Sequence, residues 1–290
     1  MHTSRLIASG ALSALLGLFA GPVFAQSAVG GGCRGLPNWQ ALKNALTTAQ
    51  STSGNGGLGN NMWGVIVDPS GIVCAVAFSG ASYTSQWLGS RAIAAQKANT
   101  GNSYSLGVGS GGTMIALSSA NLFSAVQPGG SLYGLQHSNP VDTGVAYGND
   151  FWQGPSNAPA PASSFGTPQD PMVGLRIGGV NVFGGGLALY KGGVRMGGLG
   201  VSGDTSCTDH MIAWRTRHNL GLDSFGSVGG VSGDPAHPDN IIFDIMPNPD
   251  GTGGTGQSPT GTGGVGQSAS GFGHPKCLNN PDPSKLPPVQ

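Results

Sequence analysis

Glycine is the residue that most constrains how this chain can fold. It occupies 54 of the 290 positions, and proline occupies another 20. Glycine adopts positive φ without steric cost and proline interrupts helices and central strands, so both residues concentrate in turns and loops. The length allows one or two domains. The composition, however, predicts one compact core with extensive loops around it.

Charged residues are scarce, and their identity excludes several classes of function. Lysine and arginine together number 12, all 12 acidic residues are aspartate, and the formal net charge is zero. A neutral chain with so few basic residues argues against a nucleic-acid partner, because phosphate binding needs clustered positive charge. Without glutamate there is no HExxH zinc-protease motif, no EF-hand and no glutamate general acid.

The N-terminus has the pattern of a secretory signal peptide, residues 1–25. A short positive start, His2 to Arg5, precedes a mostly apolar stretch, Leu6 to Ala20, which ends at Pro22. Val23 and Ala25 place small residues where signal peptidase reads them, which predicts cleavage after Ala25 and a periplasmic or secreted protein. The alternative is a membrane anchor, but the apolar stretch is shorter than the roughly 20 residues that a span needs. We therefore expect no stable membrane anchor.

Four cysteines remain in the predicted mature chain, and their number suggests two disulfides. They are Cys33, Cys74, Cys207 and Cys277. An even count in an exported chain is typical of disulfide bonding. No CxxC pair occurs, and the spacing argues against a zinc site.

The apolar pattern of the first half predicts helices around a hairpin. The predicted elements are a helix over Asn38–Gln50, strands over Trp63–Val67 and Ile72–Phe78, a helix over Trp87–Asn102 and a short helix over Ser118–Val126. Asp68-Pro69-Ser70-Gly71 has the composition of a tight turn, which joins the two strands into a hairpin.

A long insertion, about residues 131–180, separates this half from a second hairpin and helix. In the insertion the apolar residues follow no helical or strand period. Loops of such length are usually functional or mobile. Strands are then predicted over Leu187–Tyr190 and Val194–Val201, and a helix over Asp209–Asn219. Ser206 and Asp209 have capping-box spacing, and Gly221 is a typical C-terminal cap.

The C-terminal region differs in composition from the predicted domain, residues 33–248. Gly251–Thr260 is almost repeated as Gly261–Ser270. Such a segment has too few apolar residues to form a core, which predicts a flexible linker over residues 249–273. The tail, residues 274–290, is then pinned by Cys277.

Motifs in both halves resemble the GlcG/HbpS type of haem-binding protein, which is related to the C-terminal domain of the PduO corrinoid proteins. The first half contributes Val67-Asp68-x-x-Gly71, Phe78-Ser79-Gly80-Ala81 and Ala95-Gln96-Lys97-Ala98-Asn99-Thr100. The second contributes Gly185-Gly186-Leu187-Ala188-Leu189 and Gly197-Gly198-Leu199-Gly200-Val201-Ser202-Gly203-Asp204, with Asp209 beyond. The resemblance implies an α/β (α+β) fold, a profilin-like antiparallel sheet flanked by helices, which often forms homo-oligomers.

The same resemblance implies haem, or another tetrapyrrole, as the ligand. The leading hypothesis is therefore an exported binding protein. One alternative is an enzyme that degrades haem or is redox-active on the same fold, and another is a non-catalytic structural or interaction protein.

His210 and His137 are the candidate haem-binding histidines. His210, predicted in the first turn of the last helix, would stay neutral beside the helix dipole and is the candidate iron ligand. The alternative is a capping-region histidine without a ligand. His137, in the insertion near Tyr133 and Tyr147, could face a flat ligand or simply lie in a solvated loop.

Polar residues of the two motifs complete the predicted site. Lys97 and Arg91 could pair with haem propionates, or could lie on a solvated helix face. Ser202 and Gly203, followed by Asp209, lie at the start of the last helix, where backbone N–H groups can bind an anion.

The disulfide pairing follows from chain direction and from the resemblance together. The first helix must run back along the first strand, which places Cys33 near the 68–71 turn and Cys74. If Val194–Val201 pairs antiparallel with the first strand, as the resemblance suggests, Cys207 lies at the other end, where the tethered Cys277 can reach it. We predict Cys33–Cys74 and Cys207–Cys277 among the three pairings that four cysteines allow.

Overall fold

The computed structural model describes residues 31–147, 160–245 and 267–290. The predicted signal peptide and most of the predicted linker lie outside the described residues. The helices are α1 Trp39–Ser51, α2 Ser90–Ser103, α3 Leu122–Ala125, α4 Thr143–Tyr147 and α5 Ser206–Asn219. The strands are β1 Trp63–Val67, β2 Val73–Phe78, β3 Ile115–Ala116, β4 Gly186–Lys191, β5 Val194–Ser202 and β6 Gly229–Gly230. Single 3-10 turns lie at Gly31–Cys33, Tyr83–Ser85, Ala162–Ser164 and Pro283–Lys285.

A four-stranded antiparallel sheet forms the centre, in the order β2-β1-β5-β4. Both predicted hairpins, β1–β2 and β4–β5, are present, and β5 joins them by pairing with β1. Trp63 lies opposite Ser202, and Val67 lies opposite Gly198. The expected α/β (α+β) class, a sheet flanked by helices, is confirmed. No helix in the described ranges combines the length and apolar character that crossing a membrane requires.

Helices α1 and α5 pack together against one face of the sheet. Asn38 caps α1 by accepting the N–H of Ala41 at 3.0 Å. The apolar residues of α1 recur at helical spacing on one side and face the strands, whereas α5 is buried around most of its circumference. The core on this face contains Leu42, Leu46 and Ala49 from α1, Met211, Ile212 and Trp214 from α5, and Ile66, Leu187, Leu189, Leu199 and Val201 from the strands.

Helix α2 lies on the opposite face, in direct contact with strand backbone. A Cβ atom added at Gly200 would lie 1.8 Å from the carbonyl oxygen of Ala94, and one at Gly198 would lie 2.2 Å from that of Ala98. On the helix side, a Cβ at Gly101 would lie 2.6 Å from the backbone of Leu187. Helix and sheet therefore meet at a distance that only glycine permits at these positions.

Three helices begin three or more residues away from the start that the sequence predicts. Helix α2 begins at Ser90 instead of Trp87, and α3 is limited to Leu122–Ala125. Helix α5 begins at Ser206 instead of Asp209, because Thr205 is the N-cap and accepts the N–H of Thr208. The predicted capping box therefore named the wrong cap, Ser206 instead of Thr205. Gly221 has the predicted left-handed conformation, with φ of 62°.

The described part of the insertion belongs to the core as well as to the loops. Met172 and Ile177 are buried against α2 and the sheet, in the same cluster as Ala94 and Val65. Asp170 is buried beside them. The sequence pattern predicted none of this, because single apolar residues separated by glycine and proline have no helical or strand period.

The C-terminal tail also packs on the domain. Leu286 is buried in the core of the α1–α5 face. The indole N–H of Trp214 donates to the carbonyl of Pro287 at 2.9 Å, and the N–H of Gln290 donates to that of Asp223 at 3.0 Å. The tail is thus held by apolar and backbone contacts in addition to the predicted pinning by Cys277.

Both disulfides join the pairs that the sequence analysis predicted. Cys33 and Cys74 have Cα atoms 5.6 Å apart, and Cys207 and Cys277 have Cα atoms 6.0 Å apart. These separations lie in the usual range for disulfides. The first bridge ties the segment before α1 to β2, and the second ties the tail to the start of α5.

The close packing of α2 predicts that Gly200→Ala will destabilise the protein. The added methyl group must displace the helix backbone, and we expect the free energy of unfolding to fall by about 1–3 kcal/mol or more. Equilibrium urea denaturation measures the change. Gly89→Ala is the matched control, since a Cβ at Gly89 meets no atom within 4 Å and its φ is −59°. Equal stability of the Gly200→Ala variant and the wild type would contradict the packing.

Candidate functional site

The predicted residues at the start of α5 form a buried cluster around Asp209. One carboxylate oxygen of Asp209 accepts the backbone N–H of Gly203 at 3.1 Å and that of Asp204 at 2.9 Å. The other oxygen accepts the hydroxyl of Ser202 at 3.3 Å. Asp209 thus fixes the turn that leads from β5 into α5, and these N–H groups are not free to bind an external anion.

Lys97 reaches this cluster from α2. Its ammonium lies 2.6 Å from a carboxylate oxygen of Asp209 and 4.0 Å from the centroid of the Phe183 ring. The Lys97 side chain is 0% exposed and that of Asp209 is 1% exposed. The structure therefore brings together four of the predicted site residues, Lys97, Ser202, Gly203 and Asp209, as one hydrogen-bonded unit.

Burial shifts the pKa of both members of this pair. Desolvation raises the pKa of Asp209 to about 6, an effect that the charge of Lys97 opposes. Desolvation likewise lowers the pKa of Lys97, and the charge of Asp209 again opposes it. Each charge therefore depends on the other, because neither is solvated.

Arg91 forms a second buried ion pair. Its partner is Asp170, which lies 79 residues later in the sequence. Its Nε donates to the carboxylate at 2.8 Å, a terminal nitrogen donates to the other oxygen, and the guanidinium lies 4.2 Å from the Phe165 ring centroid. A haem propionate would have to displace Asp170 to pair with Arg91, and Asp209 to pair with Lys97. The roles predicted for both residues stay predictions.

His210 is fully buried in the second turn of α5. The prediction of a first-turn position was wrong, because the helix begins at Ser206. Its Nε2 accepts the N–H of Ile241 at 3.1 Å, which places the ring proton of the neutral form on Nδ1. Among the described residues Nδ1 has no hydrogen-bond partner. Burial, followed by the charge of Arg217, lowers the pKa of His210 to about 3.

This environment determines how well His210 fits a haem iron. The neutral imidazole is the ligand form, but Nε2 is engaged by Ile241 and the side chain is 0% exposed. Iron could bind Nε2 only after the segment around Ile241 had moved.

An open depression of about 400 Å³ lies apart from His210 and is lined by residues 226–230, 233–235 and 238. None of the predicted site residues lines it.

His137 is the exposed candidate. It lies in the described part of the insertion, and its ring centroid is 6.3 Å from that of Tyr133 in an edge-to-face arrangement. Tyr133 is itself 60% exposed. Within the described ranges no hydrogen bond engages the ring nitrogens of His137, so the imidazole is accessible to a ligand from solvent.

Sequence reasoning missed a third histidine site, at the C-terminal tail. His274 is 2% exposed, and its ring nitrogens lie 2.6 Å from the hydroxyl of Ser206 and 2.7 Å from the carbonyl of Pro275. Burial lowers its pKa to about 4. The sequence does hold a signal for a histidine site, because His274 lies only three residues before Cys277. The glycine-rich segment around it predicted a loop instead.

Taken together, the described residues define an antiparallel α/β domain whose buried polar groups are largely paired with one another. Comparison with protein-family models gives no match, and no curated protein matches the chain. Among solved structures, the Klebsiella pneumoniae protein ORFY, of family DUF336, is 21% identical with a TM-score of 0.38, and the match covers 63% of this chain and 90% of that one. A PduOC–haem complex is 22% identical with a TM-score of 0.38, covering 62% and 89%.

The buried ion pair predicts that Asp209→Asn will strongly destabilise the protein. The substitution leaves the Lys97 ammonium buried without a counter-charge, and removing one partner of such a pair typically costs about 3–5 kcal/mol. Chemical denaturation measures the loss. Asp234→Asn, at a carboxylate whose side chain is 54% exposed, should change stability by less than about 0.5 kcal/mol. A similar small effect at Asp209 would show that the pair is not buried.

The low pKa of His210 predicts a loss of stability in mild acid. The unfolded chain takes up a proton near the ordinary histidine pKa, whereas the folded protein does so only near pH 3. The contribution is complete above about pH 6.5 and decreases as pH falls, by about 2 kcal/mol at pH 5. Denaturation across this range should show a shallower pH dependence for His210→Asn than for the wild type. His137→Asn, at an exposed ring, should keep the wild-type slope, and an unchanged slope in His210→Asn would contradict the prediction.

Proposed function

We propose that this protein is exported and binds haem or a related tetrapyrrole. The motifs in its two halves support the proposal through their resemblance to the GlcG/HbpS proteins. Two disulfides and the predicted signal peptide support an oxidising compartment, where such bonds persist. The described fold is compatible with a secreted protein.

The accessible imidazole of His137 is the observation that carries the proposal. Imidazole is a common ligand of iron, and the neighbouring Tyr133 offers an exposed aromatic ring to a flat macrocycle. The other described histidines are engaged: His218 bonds Asp223 at 2.7 Å, His237 bonds Asp234 at 2.6 Å, and His210 and His274 are buried. His137 is therefore the described histidine that is exposed and has no hydrogen bond on its ring.

His210 is the second candidate ligand, and it requires a conformational change. Haem can bind His210 only after the contact between His210 and Ile241 is broken. The apparent affinity of His210 for haem would therefore be lowered, because binding depends on a less populated open state. The two candidates consequently differ in the substitution that abolishes binding.

A haemin titration of the purified mature chain tests the proposal. We expect a saturable Soret shift at one haem or fewer per chain in the wild type and in His237→Ala, and loss of most of that shift in His137→Ala. An unaltered shift in His137→Ala together with its loss in His210→Ala would transfer the ligand role to His210. The absence of a saturable shift in the wild type would overturn haem binding.

A further inference from the structure

A cluster of potential metal ligands lies where the C-terminal tail meets α5. One ligand atom from each of Cys207, His274 and Cys277 lies within 4.8 Å of the others. Cys207 comes from the second position of α5, whereas the other two come from the tail about 70 residues later. The sequence argued against a zinc site because it contains no CxxC pair and no usual Cys/His metal spacing, and Cys207 is remote from the other two residues along the chain.

We propose that reduction of the Cys207–Cys277 disulfide converts this cluster into a Zn²⁺ site formed by the two thiolates and His274. Two cysteine sulfurs and one imidazole are ligands that Zn²⁺ prefers. Three protein ligands leave a fourth tetrahedral position for water. This inference is independent of the proposed haem site, since it uses none of the same residues.

The imidazole of His274 is already prepared for this role. Each ring nitrogen has an oxygen partner, the Pro275 carbonyl on one side and the Ser206 hydroxyl on the other. Whichever nitrogen binds the metal, the other can donate its N–H to an oxygen, as metal-binding histidines usually do.

Both cysteine sulfurs lie at the N-terminus of α5. The backbone N–H of Cys207 donates to the sulfur of Cys277 at 3.1 Å, in the first turn of a 14-residue helix. Cys277 is partly exposed, so a reductant can reach its sulfur, whereas Cys207 is buried.

The redox step balances with a dithiol as the reductant. The dithiol transfers two electrons and two protons to the disulfide and becomes a disulfide itself, while the sulfur–sulfur bond breaks to give two cysteine thiols. Zn²⁺ then displaces the two thiol protons. The two sulfurs must separate from bonding distance to roughly 3.8 Å, as two ligands in a tetrahedral zinc site require, and the partly exposed tail segment at Cys277 can accommodate this movement.

Competition with a chromophoric Zn²⁺ chelator tests the proposal. The full chain is reduced with a dithiol and desalted without oxygen, and the untreated oxidised chain serves as the reference. We expect the reduced chain to bind one equivalent of Zn²⁺ and the oxidised chain to bind none at the same concentrations. Absence of binding by the reduced wild type would overturn the proposal.

Paired variants locate the site. Cys207→Ser/Cys277→Ser should abolish binding, whereas Cys33→Ser/Cys74→Ser, which removes the other disulfide, should retain it. His274→Ala should weaken Zn²⁺ binding by more than the roughly 10–100-fold that loss of an outer-shell partner costs, and His237→Ala should have no effect. Full binding by Cys207→Ser/Cys277→Ser would also overturn the proposal.

A measurement on the wild type removes any dependence on variant folding. Co²⁺ added to the reduced chain should produce a thiolate-to-metal charge-transfer absorption, which Zn²⁺ then bleaches. The oxidised chain should show no such band. A reduced chain that binds Co²⁺ without the thiolate band would place the metal elsewhere and contradict the assignment.

Discussion

The contact between α2 and the glycines of β5 is the constraint on which the rest of the structure depends. Helix backbone and strand backbone touch at Gly198 and Gly200, with Gly101 making the reciprocal contact from the helix. No side chain lies between them to adjust the spacing. The depth of α2 on the sheet is therefore fixed by backbone sterics. That depth sets how far Lys97 reaches past the strand to Asp209.

Buried ion pairs then connect the segments that this contact brings together. Lys97–Asp209 joins α2 to α5, Arg91–Asp170 joins α2 to the insertion, and Arg217 pairs with Asp239 at 2.6 and 2.8 Å. In a chain with only 12 basic residues, three buried cations are a large share. Removing one partner of such a pair is strongly destabilising, so these pairs favour one arrangement of the segments over others.

The sequence predicts the regular elements well because their signals are local. The turn Asp68–Gly71, the cap Asn38 and the left-handed Gly221 each act within a few residues, and they locate the first hairpin, the start of α1 and the end of α5. The error at the start of α5 also has a local cause, since Thr205 replaces Ser206 as its cap. The disulfide pairing needed the direction of neighbouring elements together with the antiparallel pairing of β5 and β1 that the family resemblance implied.

The candidate site was less predictable, because its contacts join residues distant in sequence. Lys97 and Arg91 were expected to face a ligand or solvent, but their partners lie 112 and 79 residues away. No periodic pattern encodes such a pairing. His274 was missed for the same reason: its surroundings are assembled from the tail and α5, and neither segment alone indicates a buried histidine.

The docking of the tail has a consequence for the rate at which this protein folds. Asn279 bonds to Gly57 across 222 residues, and Trp214 bonds to Pro287 across 73. Folding slows as the mean sequence separation of contacting residues increases, because the entropy of closing long loops is lost before the contacts form. The face formed by α1 and α5 therefore remains incomplete until residues 279–290 arrive, and we expect the final closure of the core to be a late step.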